Sequence, residues 1–576
     1  MSDNSSEFNQ RSMKAIILCV MVTIVYTQLF LAPQQAGNTT GQGAGSTVAS
    51  GQIDRSAPES SKQAGLSVAA VPSVAGTTQN ATVTRAQLDS AEKTQVDVGV
   101  SKVAISHLGA RLIHYNLKNY RQEATSAEPL DLVGSDEQVA LLPLGVYIGN
   151  KSDANVVYTL ASNDKNIALA PNERRTLEFR GVWSDGTGIT KRITFTGGSY
   201  LFSVDVALDK PAVNGQTVWI EWSHLYPSEI EDELRIKHVI TLLDGENKID
   251  HLQVPSIEQG IKTYGAGKWV ALGDTYFASI LIPDSIGANT AVGRMDDLFY
   301  GRVAGGAQGG SFHAYVGPKD YKLLASQGAY QLERSIDLGW FSFLALPLLW
   351  LLHALYGLLG NYGVAIIALT LLVKAVMLPL SKASFSSARK MQELQPEIKA
   401  LRERIKDPTQ LNQEMFSLYK RKGVNPMGGC FPMLIQIPVF LGLYNALLNA
   451  IELRHAPFAL WITDLSAPES LEILGVGVPV MVLLMAVSMV YQTWTTPNPS
   501  ADPNQQKMMM IMPLVFAGMF IVFPMPAGLV LYWLVNNIIS IIQQLYMRSA
   551  EKGSVYVGTA VASAVIFGVG VVLTLV

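Results

Sequence analysis

Cysteine is almost missing from this chain: its 576 residues carry two, Cys19 and Cys430. They lie in different apolar runs, which excludes a disulfide-stapled fold and a metal site built on both. Charge is scarce as well. Asp, Glu, Lys and Arg make up 15% of the residues against 49% hydrophobic, too apolar a balance for an ordinary soluble protein. The net charge of −3 gives no bulk attraction to nucleic acid, so no sequence-specific nucleic-acid partner is expected. Aromatic residues are absent between Phe30 and Tyr115. Gly, Ser, Thr, Ala and Gln dominate the first part of that gap, and such a segment cannot bury enough apolar surface to offset its ordering entropy. Residues 33–91 therefore read as a flexible tether. Before it come a cytoplasmic N-terminus, residues 1–12, and an apolar run at 13–32. That run is long and lacks a clean small-x-small cleavage site, so it reads as a retained transmembrane anchor.

From residue 92 to 335 the pattern is that of strands. Tyr200, Phe202, Val204, Val206 and Leu208 alternate with a second face, as do Val218, Ile220 and Trp222, and Ile236, His238, Ile240 and Leu242. Gly197-Gly198 and Asp244-Gly245 supply hairpin turn chemistry. The expectation is one large antiparallel β-sandwich, big enough to be stable without disulfides. Six of the eight histidines fall in this region, at spacings that fit no metal motif. Gly265-Ala-Gly-Lys268 has the look of a phosphate loop, but Lys262 stands where its first glycine belongs and Trp269 replaces the Ser/Thr. No nucleotide, metal or other cofactor is expected, and no enzymatic activity.

The membrane half begins with an apolar run of about 40 residues, Trp340–Leu380. One span needs only about 20 apolar residues, so the run must hold two elements, broken at Gly357–Gly363. Counting both as spans would put the basic loop 382–422 outside the membrane and the Lys/Arg-poor segment 452–472 inside, against the positive-inside rule. Residues 340–359 accordingly read as an amphipathic helix along the outer interface. Five spans follow, at about 362–381, 430–450, 473–494, 508–523 and 527–546, giving an anchor plus a five-helix core over 362–546. Within the loop, Met391, Leu394, Ile398, Leu401 and Ile405, then Leu411, Met415 and Leu418, follow helical spacing on either side of Asp407-Pro408. That predicts a cytoplasmic helical hairpin over 384–422. Its basic residues serve as a topology signal and solvated face, or as a docking surface for a ribosome or targeting factor. Residues 554–576 form a further apolar segment of span length.

One residue breaks the pattern of the second span. Lys374 lies about 12 Å from the polar end at Lys382, inside a hydrocarbon layer about 30 Å thick. A charge there costs about 2.5–3.5 kcal/mol on insertion scales, which marks a functional site. A cation in a wet cleft eases the entry of a short polar or acidic segment into the bilayer. The Met-rich span (Met508, Met509, Met510, Met512, Met519) suits adaptable apolar contact.

The stretches 422–438 (KGVNPMGGCFPMLIQIP), 452–468 (ELRHAPFALWITDLSAP), 502–513 (DPNQQKMMMIMP) and 523–537 (FPMPAGLVLYWLVNN) resemble the signature segments of the YidC/Oxa membrane-protein insertases. Residues 267–283 and 316–325 resemble the end of the periplasmic domain in the Gram-negative members. The resemblance implies a helical insertase core bearing a large all-β periplasmic domain, in the bacterial inner membrane. It implies a hydrophilic groove inside the core, with Lys374 where the family usually has arginine, so that the charge survives but the five-donor fork does not. Thr370, Gln436, Gln492, Tyr532 and Trp533 match further groove positions. Implied partners are nascent membrane proteins, the Sec translocon, ribosome and signal-recognition components at the hairpin, and the lipid bilayer. Two other readings stay open: a small-solute transporter with Lys374 as counter-ion, and a membrane-tethered periplasmic carbohydrate-acting protein.

Overall fold

Strand-forming alternation fills the first half of the chain and apolar helices the second, and the computed structural model follows that division. It describes residues 85–551 except 125, 134–141, 163, 213–214, 226–237, 286, 296–297, 425–430, 474 and 497–502. The anchor at 13–32, the tether up to residue 84, both cysteines and the segment 554–576 lie outside the described residues. The tether reading does need one correction, since residues 85–90 are helical (α1, Arg85–Ser90) and Leu88 is buried against the β core. Leucine is the one large apolar residue there, and its burial ends the tether early.

The β half holds a five-stranded sheet and a larger antiparallel array that bends on itself. The bend is made by one long strand, Gly260–Gly273. Its first half pairs with Asn289–Met295, and its second with Val239–Asp244 and Phe277–Pro283. The register slips between Thr263 and Gly265, where Gly265 takes a φ of +70° that side chains resist. The glycines that resemble a phosphate loop are therefore the corner of a folded sheet. Side chains from both wings, among them Trp222, Ile220, Phe202 and Ile280, meet in one core with Val96, Leu112 and Tyr115 of the small sheet. Alternation explains this. Tyr200, Phe202, Val204, Val206 and Leu208 are all buried, while their intervening neighbours Leu201, Ser203, Asp205 and Ala207 stay half-exposed.

A short helix α2 (Tyr321–Ser326), capped by the Asp320 carboxylate, leads out of the sheets. The helical half then comprises α3 (Ser342–Leu359), α4 (Tyr362–Glu393), α5 (Gln395–Arg404), α6 (Pro408–Lys422), α7 (Phe431–Leu448), α8 (Val480–Thr495), α9 (Pro503–Val522) and α10 (Ala527–Glu551). By length and composition Ser342–Leu359, Tyr362–Glu393 and Ala527–Met547 can cross a bilayer, and shorter apolar helices lie at Ile435–Asn449, Val480–Thr495 and Met510–Val522.

Two boundaries differ from the sequence reading. The helix from Tyr362 runs past Ser381 to Glu393 with Pro379 in its interior, and Pro396 stands in the first turn of the helix that follows, where its missing N–H costs nothing. The fourth span starts at Val480 rather than 473. Residues Leu471–Ile473 and Val476–Val478 pair as a small β-hairpin instead, since β-branched residues around Gly475 favour extended backbone. Glu469 accepts the Met481 amide proton and the Trp461 indole proton, fixing the start of α8.

The hairpin below the bundle closes on its own core of Met391, Leu394, Ile398 and Leu418. Asp407 caps α6 through the Thr409 amide, and Lys422 pairs with Glu397 across the two arms at 2.6 Å.

Candidate functional site

Five helices frame the site, and the polar atoms on α4, α7, α8 and α10 define it. Lys374 on α4 reaches α10, where its Nζ donates to Ser540 Oγ at 2.8 Å. The Ser540 hydroxyl proton is committed to the Asn536 carbonyl one turn earlier, at 2.7 Å, so a lone pair faces the ammonium. Lys374 is half-buried, and among the described residues it forms no ion pair. A cation held by one neutral hydroxyl keeps two N–H donors and its full charge for another group.

Thr370, one turn before Lys374, is buried, and its hydroxyl donates to the Ile366 carbonyl at 2.7 Å. It lines up with Lys374 along the helix but spends its proton on its own backbone. Gln436 on α7 donates from Nε2 to the Tyr532 hydroxyl at 3.3 Å. Tyr532 is buried and stacks near Phe440, which meets Trp533 edge-on at 4.8 Å between centroids. Phe520 of α9 closes on the other side of Trp533 at 5.4 Å. Gln436, Tyr532 and Trp533 thus form one aromatic-amide cluster between α7, α9 and α10. Gln492 on α8 stays apart from it. Its carbonyl accepts the Thr496 hydroxyl proton and shares that of Thr495 with Gln544 Oε1, and among the described residues its side-chain amide makes no hydrogen bond.

The sequence reading passed over Ser540, Asn537 and Gln544. Gln544 bonds Thr495 and Thr496 of α8 at 2.9 and 3.0 Å. The signal was available: Asn536-Asn537, Ser540 and Gln543-Gln544 recur at 3–4-residue spacing through an otherwise apolar span. Among the described residues no cluster of His, Cys, Asp or Glu is arranged to hold a metal ion.

Comparison with known proteins places these helices and sheets in context. The family model for the 60Kd inner membrane protein matches residues 354–554, and that for the YidC periplasmic domain matches residues 93–351. The membrane protein insertase YidC of Geobacter sulfurreducens is 36% identical over 472 residues, covering 78% of this chain and 85% of that protein. Its counterpart from Pelobacter propionicus is 34% identical over 565 residues, covering 94% and 99%. This chain belongs to the YidC family of membrane protein insertases. A crystal structure described as an active YidC insertase with its first transmembrane domain resolved aligns with 79% of this chain and 94% of its own, at 19% identity and a TM-score of 0.35. The two YidC family models hand over within α3, between residues 351 and 354. The polar cluster around Lys374 therefore belongs wholly to the inner-membrane-protein part of the YidC match.

Proposed function

We propose that this chain inserts membrane proteins into the bacterial inner membrane and helps them fold, using a hydrophilic groove between α4, α7, α8 and α10. Membership of the YidC insertase family supports the insertion reaction. The observation that carries the groove is Lys374, a cation among apolar helices with Ser540 as its hydrogen-bond partner. In a low-dielectric surrounding such a charge attracts an acidic or polar client segment strongly, and it lowers the cost of bringing that segment partway into the bilayer. The apolar helix of the client meanwhile slides against lipid and against Met- and Phe-lined surfaces that repack easily. With no nucleotide motif in the sequence, the driving force comes from client partitioning, the membrane potential or a partner.

The same reading assigns the partners. Nascent membrane proteins occupy the groove, with the Sec translocon alongside for larger clients. Lys399, Arg402, Arg404, Lys406, Lys420 and Arg421 surround the hairpin, and their charge suits ribosomal RNA or a signal-recognition component. The outer helix α3 lies on the lipid interface; Trp340, Phe343, Trp350 and Leu358 are exposed on or beside it. Depleting the protein from cells should leave a small two-span client uninserted, as scored by protease accessibility of its translocated loop. Normal insertion after depletion would sink the reading.

A further inference from the structure

Beside the strap that joins the β half to α3, residues 336–341, lies a cavity of about 90 Å³. At about 15 Å³ per water it has room for about six waters or one small polar group. Its charged lining comes from the β half and the strap: Asp274, Lys319 and Asp337. His251 lines it too, but burial holds that imidazole below its ordinary range, so it is neutral at pH 7. Lys319 is only 7% exposed. Among the described residues its ammonium has one hydrogen-bond acceptor, the Asp274 carbonyl at 2.6 Å, and no ion-pair partner. Two of its three N–H donors are left for another group. Asp274 spends Oδ1 on the Tyr276 and Phe277 amides, and Asp337 spends Oδ1 on the Gly339 amide. Among the described residues the second oxygen of each carboxylate makes no hydrogen bond. The height of the cavity relative to the bilayer follows from α7. Its 18 residues, at about 1.5 Å each, span about 27 Å, close to the hydrocarbon thickness of about 30 Å. Asn449, in the cavity wall, comes directly after its last residue, Leu448. The β half matches the periplasmic-domain model, so this is the outer end, at headgroup level.

We propose that this cavity binds a zwitterionic phosphoethanolamine headgroup, carried by a lipid of the outer leaflet. The phosphodiester oxygens accept the two spare N–H donors of Lys319, and the lipid ammonium sits against the free oxygens of Asp337 and Asp274. Burial strips the Lys319 ammonium of water and pulls it down to about 8, so an anion placed against it restores what desolvation removed. Both signs of the headgroup are needed. An anionic lipid without an amine satisfies Lys319 but brings a third negative charge against two carboxylates. A simple cation meets Lys319 itself. The cavity takes the polar headgroup and not the acyl chains, which stay in the hydrocarbon alongside Leu448. Lipid binding here involves no step of insertion, so it stands or falls apart from the insertase reading.

The test uses the full chain in nanodiscs of equal parts phosphatidylethanolamine and phosphatidylglycerol. A diazirine-bearing side chain replaces Gln253, an exposed residue of the cavity wall. After illumination, the mass of the labelled peptide identifies the lipid attached. Lipids that merely surround the protein label in proportion to the bilayer, whereas a headgroup site departs from that proportion. Phosphatidylethanolamine adducts should exceed phosphatidylglycerol adducts about fivefold. Lys319→Met should lower the adduct yield several-fold and bring the ratio to that of the bilayer. Asp337→Asn, at an exposed position, should leave the fold intact and cut the ratio several-fold by admitting the anionic lipid. Should Lys319→Met fail to accumulate, Asp337→Asn decides alone. No lipid adduct, a ratio equal to that of the bilayer in the unaltered chain, or a ratio that Asp337→Asn leaves unmoved would each overturn the headgroup site.

Discussion

Asn537 on α10 donates its amide proton to the Ser488 hydroxyl of α8 at 3.2 Å, with both side chains buried. Seven residues further along both helices, Gln544 meets Thr495. The same interval on both sides means that α8 and α10 run parallel with little relative twist, as in knobs-into-holes packing at a heptad repeat. Hydrogen bonds of this kind contribute about 0.6 kcal/mol on average between membrane helices, with a ceiling near 1.7. Asn537→Leu should therefore lower the unfolding free energy in detergent by about 1 kcal/mol. The loss stays small because Ser488 still donates to the Met485 carbonyl. Sodium dodecyl sulfate titration followed by circular dichroism gives the measurement, and a loss above about 3 kcal/mol would show a larger role for the seam than one hydrogen bond.

Under the proposed groove mechanism Lys374 acts through charge rather than shape, since Ser540 offers it a single acceptor. Lys374→Arg should retain most insertion, since a guanidinium can reach the same hydroxyl and keeps the charge. Lys374→Ala should cut insertion several-fold for clients whose translocated segment carries Asp or Glu, and far less for clients with neutral segments. Protease protection of matched client pairs reads out the difference. Equal losses for both client types would exclude the electrostatic role.

Some of this architecture was legible in the residues and some was not. The alternating run at 200–208 marks its buried face outright, because a period of two has one interpretation. Asp407 before Pro408 announces the start of α6 equally plainly. By contrast, the short apolar run Leu471–Val478 fits a strand or a helix equally well, and the strand won through Gly475. Lys374 stood out alone, but its partner lies 166 residues away, beyond any local pattern. Ile451 reads as one more apolar residue at a helix end; its placement in the β core depends on where two bodies meet.

Inside the β half, Arg302 binds Glu221 through Nε and Nη2 at 2.7 Å, and Tyr147 donates its hydroxyl proton to the same carboxylate at 2.9 Å. Removing one partner strands the other charge away from water. Glu221→Ala should cost about 3–5 kcal/mol, whereas Glu221→Leu combined with Arg302→Leu should cost clearly less. Urea midpoints of the three chains, followed by the near-ultraviolet signal of the buried tryptophans Trp222 and Trp269, decide the order. A double variant less stable than Glu221→Ala would contradict the stranded-charge account.

Lys191 gives the β half a specific alkaline response. Burial pulls its ammonium down to about 8 although the Asp153 carboxylate lies 2.5 Å away and pulls the other way. In the unfolded chain the same group titrates at its ordinary 10.5. Below pH 8 both states hold the proton and this group adds no slope. Between pH 8 and 10.5 the unfolded chain binds more protons than the folded one, so stability must rise with pH. Lys319, buried beside the strap and also pulled down to about 8, acts in the same direction. Tyr158 opposes both at higher pH: burial pushes its hydroxyl well above 10, so only the unfolded chain ionises there. Stability should therefore climb from pH 8, by about 2 kcal/mol per lysine at pH 9.5, and turn down above about pH 10. Lys191→Met should remove about half of the climb, because Lys319 remains. Urea midpoints at pH 7.5, 9.5 and 10.5 test this; a midpoint that stays level from 7.5 to 9.5 in the unaltered chain would mean that Lys191 keeps its proton when folded, with Asp153 outweighing burial.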